Sequence, residues 1–140
     1  LLGEGERMEE MKKKAAELGI ADKTRFCGNR KDAWKYYQAM DFFLFPSRFE
    51  GLPGTVIEAQ SAGLRCLISD TITPECLITK LAVSRSIAEN PEVWAEYVLA
   101  NREYERMDCS GQIRAAGFDV RTQAAWYEKF YMCEKDGGSL

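Results

Sequence analysis

Histidine is absent from all 140 residues of the chain. A Ser-His-Asp triad or a Cys–His pair would therefore lack its general base. The same absence rules out a zinc site of the H-E-x-x-H type and every other metal centre with histidine ligands. Hydrolases and zinc enzymes that depend on these groups are excluded.

Cysteine is scarce and scattered along the sequence. The cysteines are Cys27, Cys66, Cys76, Cys109 and Cys133, an odd number with no C-x-x-C pair. This pattern supports neither a disulfide framework nor a zinc site. It predicts reduced thiols in a cytosolic protein, several of them packed as small core residues on strands.

Long apolar runs and a strong net charge are also lacking. No run approaches the roughly 20 apolar residues of a membrane-spanning helix, and no segment has the pattern of a signal peptide. The net charge of -3 argues against a nucleic acid as partner. We expect a cytoplasmic protein, and a peripheral position at the inner face of the membrane stays open for the full-length protein.

The composition, with 46% hydrophobic and 29% charged residues, is that of an ordinary globular domain. Apolar patterns and turn residues predict helices over 6–18, 33–39, 55–62, 91–104, 109–116 and 121–132, and strands over 24–27, 41–45, 64–69 and within 78–83. This alternation predicts an α/β fold, a Rossmann-like doubly wound parallel sheet with ligands at the carboxyl ends of its strands. The domain is expected to span 1–133, followed by a tail over 134–140.

The most informative segment joins a strand, a turn and a helix. The strand over 41–45 ends at Pro46, and Gly51, Pro53 and Gly54 then form a turn that lets the backbone approach a ligand closely. The first amides of the following helix have no partner inside it, and the helix dipole favours negative charge beside them. A diphosphate is therefore the expected occupant of this position.

Two carboxylates flank this turn. Glu50 lies in the loop and Glu58 in the second turn of the predicted helix, so both can reach one crevice. A carboxylate that accepts from two vicinal hydroxyls suits a ribose or a hexose, since a buried polar group left unpaired costs about 1 to 3 kcal/mol. The segment predicts a site for a phosphorylated, hydroxyl-rich ligand.

The order of Glu50, the Gly51-Leu52-Pro53-Gly54 turn, Glu58 and the small residues through Gly63 closely resembles the E-x7-E signature of the family 4 glycosyltransferases. These are retaining enzymes of the GT-B fold that use nucleotide-sugar donors. The resemblance implies the donor-binding half of a GT-B glycosyltransferase that acts in surface polysaccharide or glycolipid synthesis. It implies a UDP- or GDP-linked sugar as substrate, with no cofactor and no metal.

The resemblance also implies a role for each site residue. Glu58 would bind the ribose hydroxyls, and Glu50, the catalytic residue, would lie at the transferred sugar with the turn amides. The implied donor-binding residues are Gly28, Asn29, Arg30, Glu50, Gly51, Leu52, Pro53, Gly54, Thr55 and Glu58. The first three would border the base, where Arg30 either stacks on it or is a surface charge of its loop.

The family pattern extends beyond this sequence. Its amino-terminal acceptor domain, and an Arg and a Lys that bind the donor diphosphate, would precede Leu1. We therefore expect the isolated chain to be inactive and to bind a donor weakly. The aromatic surface of the last helix, around Trp126, Phe130 and Tyr131, would lack the other domain that covers it in the family. An exposed apolar surface of this kind favours self-association and predicts a homodimer.

Three other functions were weighed against the glycosyltransferase. One is a non-catalytic α/β module that binds a nucleotide or a sugar phosphate, and another is a receiver-type or structural domain without a ligand. A glycosidase could use Glu50 and Glu58 as its carboxylate pair, but a glycine turn that leads into a helix suits phosphate better. The paired glutamates favour the glycosyltransferase.

Overall fold

The computed structural model describes the backbone of residues 1–135 and the side chains of residues 1–132. The chain divides into two compact units, Leu1–Tyr36 and the part from Tyr37 onward. The assignment of 1–133 to one domain stays a prediction. Among the described residues, no helix is long and apolar enough to cross a bilayer.

The first unit contains helix α1, Met8–Glu17, a short 3-10 turn at Ala21–Lys23 and the beginning of helix α2, Ala33–Ala39. Helix α1 ends where the sequence predicts, because Gly19 adopts the left-handed conformation with φ of 67°. Its buried side chain is Ala15, and the apolar side chains of Met8, Met11 and Leu18 stay at least partly exposed.

The predicted strand over 24–27 is not a regular strand. The segment still lies alongside the first residues of the chain, because the Cys27 amide donates to the Leu1 carbonyl at 2.9 Å and the Gly3 amide donates to the Gly28 carbonyl at 2.8 Å. Gly28 then turns the chain with φ of 66°, so the pairing ends before a regular ladder is established.

The second unit is built on a three-stranded parallel sheet in the order β1-β2-β3. Its strands are β1, Phe43–Phe45, β2, Cys66–Ser69, and β3, Ala82–Arg85. The sheet confirms the predicted parallel α/β architecture. Strand β2 is buried along its whole length, as expected of a central strand covered on both faces.

Four helices accompany this sheet among the described residues. They are α3, Gly54–Ser61, α4, Pro91–Asn101, α5, Ser110–Ala115, and α6, Val120–Lys135, with a 3-10 turn at Pro74–Cys76. All four correspond to predicted helices with small shifts at their ends. Helix α6 runs past the expected start of the tail, and 136–140 lie outside the described residues.

The core of the second unit lies between β2 and α3. Val56 and Ala59 on the helix and Leu67 and Ile68 on the strand are fully buried. Helix α3 connects β1 to β2, so its position against the sheet also fixes the turn that precedes it. Packing in this core therefore determines where the candidate site residues lie.

A buried amide joins α3 to the loop after β2. Gln60, with none of its surface exposed, donates through Nε2 to the carbonyls of Val56 at 3.1 Å and Cys76 at 2.7 Å. Its Oε1 accepts from the amides of Ile78 at 3.2 Å and Thr79 at 2.9 Å, and from the Thr79 hydroxyl at 3.0 Å. These two amides bond to Gln60, and β3 begins after them at Ala82, inside the predicted range of 78–83, and runs two residues beyond it.

We predict that Gln60→Leu lowers the free energy of unfolding by about 2 to 4 kcal/mol, because it leaves several buried backbone groups without partners. Urea unfolding of the chain measures this change. The matched control is Gln112→Leu on the exposed side of α5, which we expect to change stability by less than about 0.5 kcal/mol. Equal effects of the two substitutions would contradict the role assigned to the Gln60 amide.

Candidate functional site

The three parallel strands end at one edge of the sheet, and the loops that follow them form the candidate site. Residues 46–53 follow β1, 70–81 follow β2 and 86–90 follow β3. In open parallel sheets this edge is where ligands bind. Six of the predicted site residues lie in the first of these loops or at the start of α3, and Glu58 follows in the second turn of that helix.

The beginning of α3 supplies backbone donors to this edge. Pro53 is buried immediately before the helix, and its carbonyl accepts from the Val56 amide at 3.1 Å. The amides of Gly54 and Thr55, the first two of the helix, have no acceptor inside it. With the helix dipole, they form a place for an anion.

The glycines of the turn are not required by the fold. A Cβ atom at Gly51 or Gly54 would meet no atom within 4 Å, and neither residue has a left-handed backbone. Gly63 is different, because its φ is 71° and a Cβ there would lie 2.5 Å from the Met107 carbonyl oxygen. Leu52 and Thr55 are exposed around the same opening. The space above Gly51 and Gly54 is therefore open to a ligand.

Glu50 is half-buried and its carboxylate is held from within the loop. The Ser47 hydroxyl lies 2.9 Å from Glu50 Oε1 and donates to it. The Ser47 carbonyl in turn accepts from the hydroxyls of Ser69, at the end of β2, and Thr71, the latter at 3.2 Å. The catalytic residue expected from the sequence thus lies at the sheet edge, connected to a neighbouring strand.

Glu58 is exposed on α3 beside the buried ring of Tyr37. Burial, together with the nearby negative charge of Glu58, raises the pKa of Tyr37 to about 12. Because this pKa is raised in the folded state, its contribution to stability is present below the ordinary tyrosine pKa and is lost as the pH rises toward 12.

The loop over 28–30 belongs to the first unit and is held by contacts inside that unit. The Asn29 amide donates to Glu4 Oε1 at 3.3 Å. Arg30 donates to both carboxylate oxygens of Asp32, at 3.1 and 3.3 Å, and its guanidinium lies 5.5 Å from the centre of the Tyr36 ring. Both alternatives for Arg30 stay open, although its side chain already has partners in its own loop.

Sequence reasoning did not find two of the residues that support the site. The sequence does not show that the buried Tyr37 lies near Glu58. Thr71 follows a predicted strand at its carboxyl end, which is a signal that could have identified it. Within the described residues, no three potential ligands converge to hold a metal ion.

The model of the family described as glycosyl transferases group 1 matches residues 1–101. The chain belongs to this family. The EpsF protein of Bacillus subtilis (strain 168) is 34% identical over 103 residues, which cover 70% of this chain and 26% of EpsF. The UDP-Gal:alpha-D-GlcNAc-diphosphoundecaprenol alpha-1,3-galactosyltransferase of Escherichia coli is 33% identical over 79 residues, which cover 56% of this chain and 20% of that enzyme.

A solved structure supports the fold assignment. The apo form of the lipopolysaccharide outer core galactosyltransferase WaaB matches with a TM-score of 0.71 at 21% identity, over 94% of this chain and 39% of that one. This group 1 glycosyltransferase chain has the Rossmann-like fold of one half of a GT-B enzyme. It spans only about a quarter, or less, of the length of the two relatives named above.

We predict that Glu58→Gln lowers the pKa of Tyr37 from about 12, because it removes the negative charge that favours the protonated phenol. Burial keeps the pKa above the ordinary tyrosine value in the variant. NMR of tyrosine labelled with 13C at the ring carbon that bears the hydroxyl, followed from about pH 9 to about pH 13, measures the shift.

The matched control for this titration is Glu96→Gln, an exposed glutamate on α4. We expect the Tyr37 signal in this variant to titrate as in the unmodified chain. A Tyr37 pKa that is the same with and without the Glu58 carboxylate would show that the two side chains do not interact.

Proposed function

We propose that this chain is the donor-binding part of a retaining glycosyltransferase, which transfers a sugar from a UDP- or GDP-linked donor to an acceptor hydroxyl. The observation that carries the proposal is the open glycine turn at the start of α3, between the carboxylates of Glu50 and Glu58, in a member of the group 1 family. An open anion site beside hydroxyl acceptors fits a nucleotide sugar.

The donor diphosphate is proposed to bind at the start of α3. The amides of Gly54 and Thr55 would donate to its oxygens, and Gly51 and Gly54 would let those oxygens approach because no side chain fills the space. The loop over 28–30 is proposed to border the base.

The ribose is proposed to bind at Glu58. Its carboxylate is exposed and has several acceptor positions, so it can accept from both ribose hydroxyls. Because charged acceptors form the stronger hydrogen bonds, we expect this contact to contribute about 1.5 to 3 kcal/mol to donor binding.

The transferred sugar is proposed to lie at Glu50 and the turn amides of Gly51 and Leu52. In the reaction the bond from the anomeric carbon to the diphosphate oxygen breaks, a bond to the acceptor oxygen forms on the same face of the sugar, and the acceptor's hydroxyl proton passes to the departing diphosphate. Glu50 would orient the sugar and stabilise the positive charge that develops on it, while the helix amides stabilise the leaving diphosphate. We expect these groups to suffice without a metal.

The biological role is proposed from the relatives. The Escherichia coli relative is named for transfer to a diphosphoundecaprenol-linked acceptor, and the structural neighbour is named for the lipopolysaccharide outer core. We infer that the protein containing this chain acts in surface polysaccharide or glycolipid synthesis. Its acceptor would bind to an amino-terminal domain outside this sequence, and the enzyme would be cytoplasmic or peripheral to the membrane.

The division of roles between the glutamates is tested in the full-length protein. Glu58→Gln should weaken the binding of both the nucleotide sugar and the free nucleoside diphosphate by about 10- to 100-fold, because its contact is to the ribose. Glu50→Gln should leave nucleoside diphosphate affinity within about twofold and lower kcat by about 100-fold or more. Calorimetry with UDP and GDP, and steady-state kinetics with the corresponding sugars, measure these changes.

Glu96→Gln again serves as the control and should match the unmodified enzyme. Equal losses of diphosphate affinity in the two site variants would contradict the assigned roles, and full activity in either would remove that glutamate from the site. Tight nucleotide-sugar binding without any transfer would instead support the non-catalytic binding module.

A further inference from the structure

We infer that Ser47 is a positioning residue, which orients the Glu50 carboxylate toward the transferred sugar. The inference rests on the proposed function and adds a residue to it. It starts from the single described side chain that donates to Glu50, the Ser47 hydroxyl at 2.9 Å from Oε1. Within the described residues, no protein donor reaches Oε2, so this oxygen is available to a substrate hydroxyl.

The Ser47 hydroxyl has two acceptors within reach and one proton to donate. Its Oγ lies 2.9 Å from Glu50 Oε1 and 3.2 Å from the Phe49 carbonyl oxygen. The carboxylate is closer and charged, so it receives the stronger hydrogen bond. A glutamate side chain has three rotatable bonds, and this contact restricts them to arrangements that keep Oε1 on the protein side.

Ser47 itself is held by a neighbouring strand. Its carbonyl accepts from the hydroxyl of Ser69, which is fully buried at the end of β2, and from the Thr71 hydroxyl at 3.2 Å. The two hydroxyls also lie 3.1 Å apart. These contacts fix the position of Ser47 relative to the sheet. Through its hydroxyl, Ser47 in turn restricts the Glu50 carboxylate, which would otherwise move freely in its loop.

Kinetics of the full-length protein test whether Ser47 acts through Glu50. Ser47→Ala should lower kcat by roughly 10- to 100-fold, because a small displacement of a reacting group is costly, while the affinity for free UDP or GDP stays within about twofold. Ser47→Thr keeps the hydroxyl and should restore most of the activity. Ser61→Ala, an exposed serine at the end of α3, is the control and should leave kcat unchanged.

A double-mutant cycle separates positioning from a general structural role. In the Glu50→Gln background, Ser47→Ala should have little further effect on kcat, because the group it positions is already altered. The same fold-loss in both backgrounds, or full activity of Ser47→Ala, would overturn the inference while the proposed function stands. Absence of transfer by the unmodified enzyme with every UDP- and GDP-sugar would instead contradict the proposed function.

A structural measurement tests the inference independently of activity. Crystal structures of the unmodified chain and of Ser47→Ala should show Glu50 in one side-chain conformation in the former and displaced or in several conformations in the latter. The backbone at position 47 should stay in place, since the Ser69 contact is to its carbonyl. An unchanged Glu50 carboxylate in the variant would overturn the inference.

Discussion

The buried amide of Gln60 is the constraint on which the second unit depends. It joins α3 to the loop after β2 through four hydrogen bonds, to Cys76, Ile78 and Thr79, and it makes a fifth to Val56 within the helix. A buried amide with all its partners fixes one arrangement, because any displacement leaves polar groups unpaired in the core. The helix that begins at Gly54 and carries Glu58 is therefore held in one place relative to the sheet edge.

Around that rigid helix, the candidate site combines fixed side chains with open space. Glu50 is held by Ser47, whereas Glu58 is exposed on α3 near the buried Tyr37. The glycines between them leave room that the fold itself does not need. Preorganised acceptors around an unfilled anion site are what recognition of a nucleotide sugar requires.

Much of this fold could be predicted because its strongest signals are local. The apolar run that forms β2 and the glycine turn before α3 both lie in short segments whose structure depends on neighbouring residues. The start of β3 could not be predicted in the same way, since Ile78 and Thr79 bond to Gln60, a residue far from them in sequence. The sequence likewise indicated no contact between Tyr37 and Glu58.

Some of the site residues could be predicted from the sequence, and others could not. Glu50 and Glu58 are recognisable from their spacing around the turn, which is the same in any structure that keeps the turn and the helix. Their supporting partners depend on tertiary packing. Ser69 supports Ser47 only because β1 and β2 are adjacent and parallel, with Phe45 opposite Ile68. Residues that act on a motif from a neighbouring element are the ones that a single sequence does not reveal.

The central claim is that the start of α3 binds the diphosphate of a donor. The most direct measurement is a titration of the 15N-labelled chain with UDP and with GDP, followed by amide NMR. We expect the largest shifts at Gly54 and Thr55, their loss in Gly54→Ala, and their retention in Gly111→Ala, whose glycine also faces open space in the first turn of a helix. Unchanged Gly54 and Thr55 signals at saturating nucleotide, or the same response in Gly54→Ala, would contradict the claim.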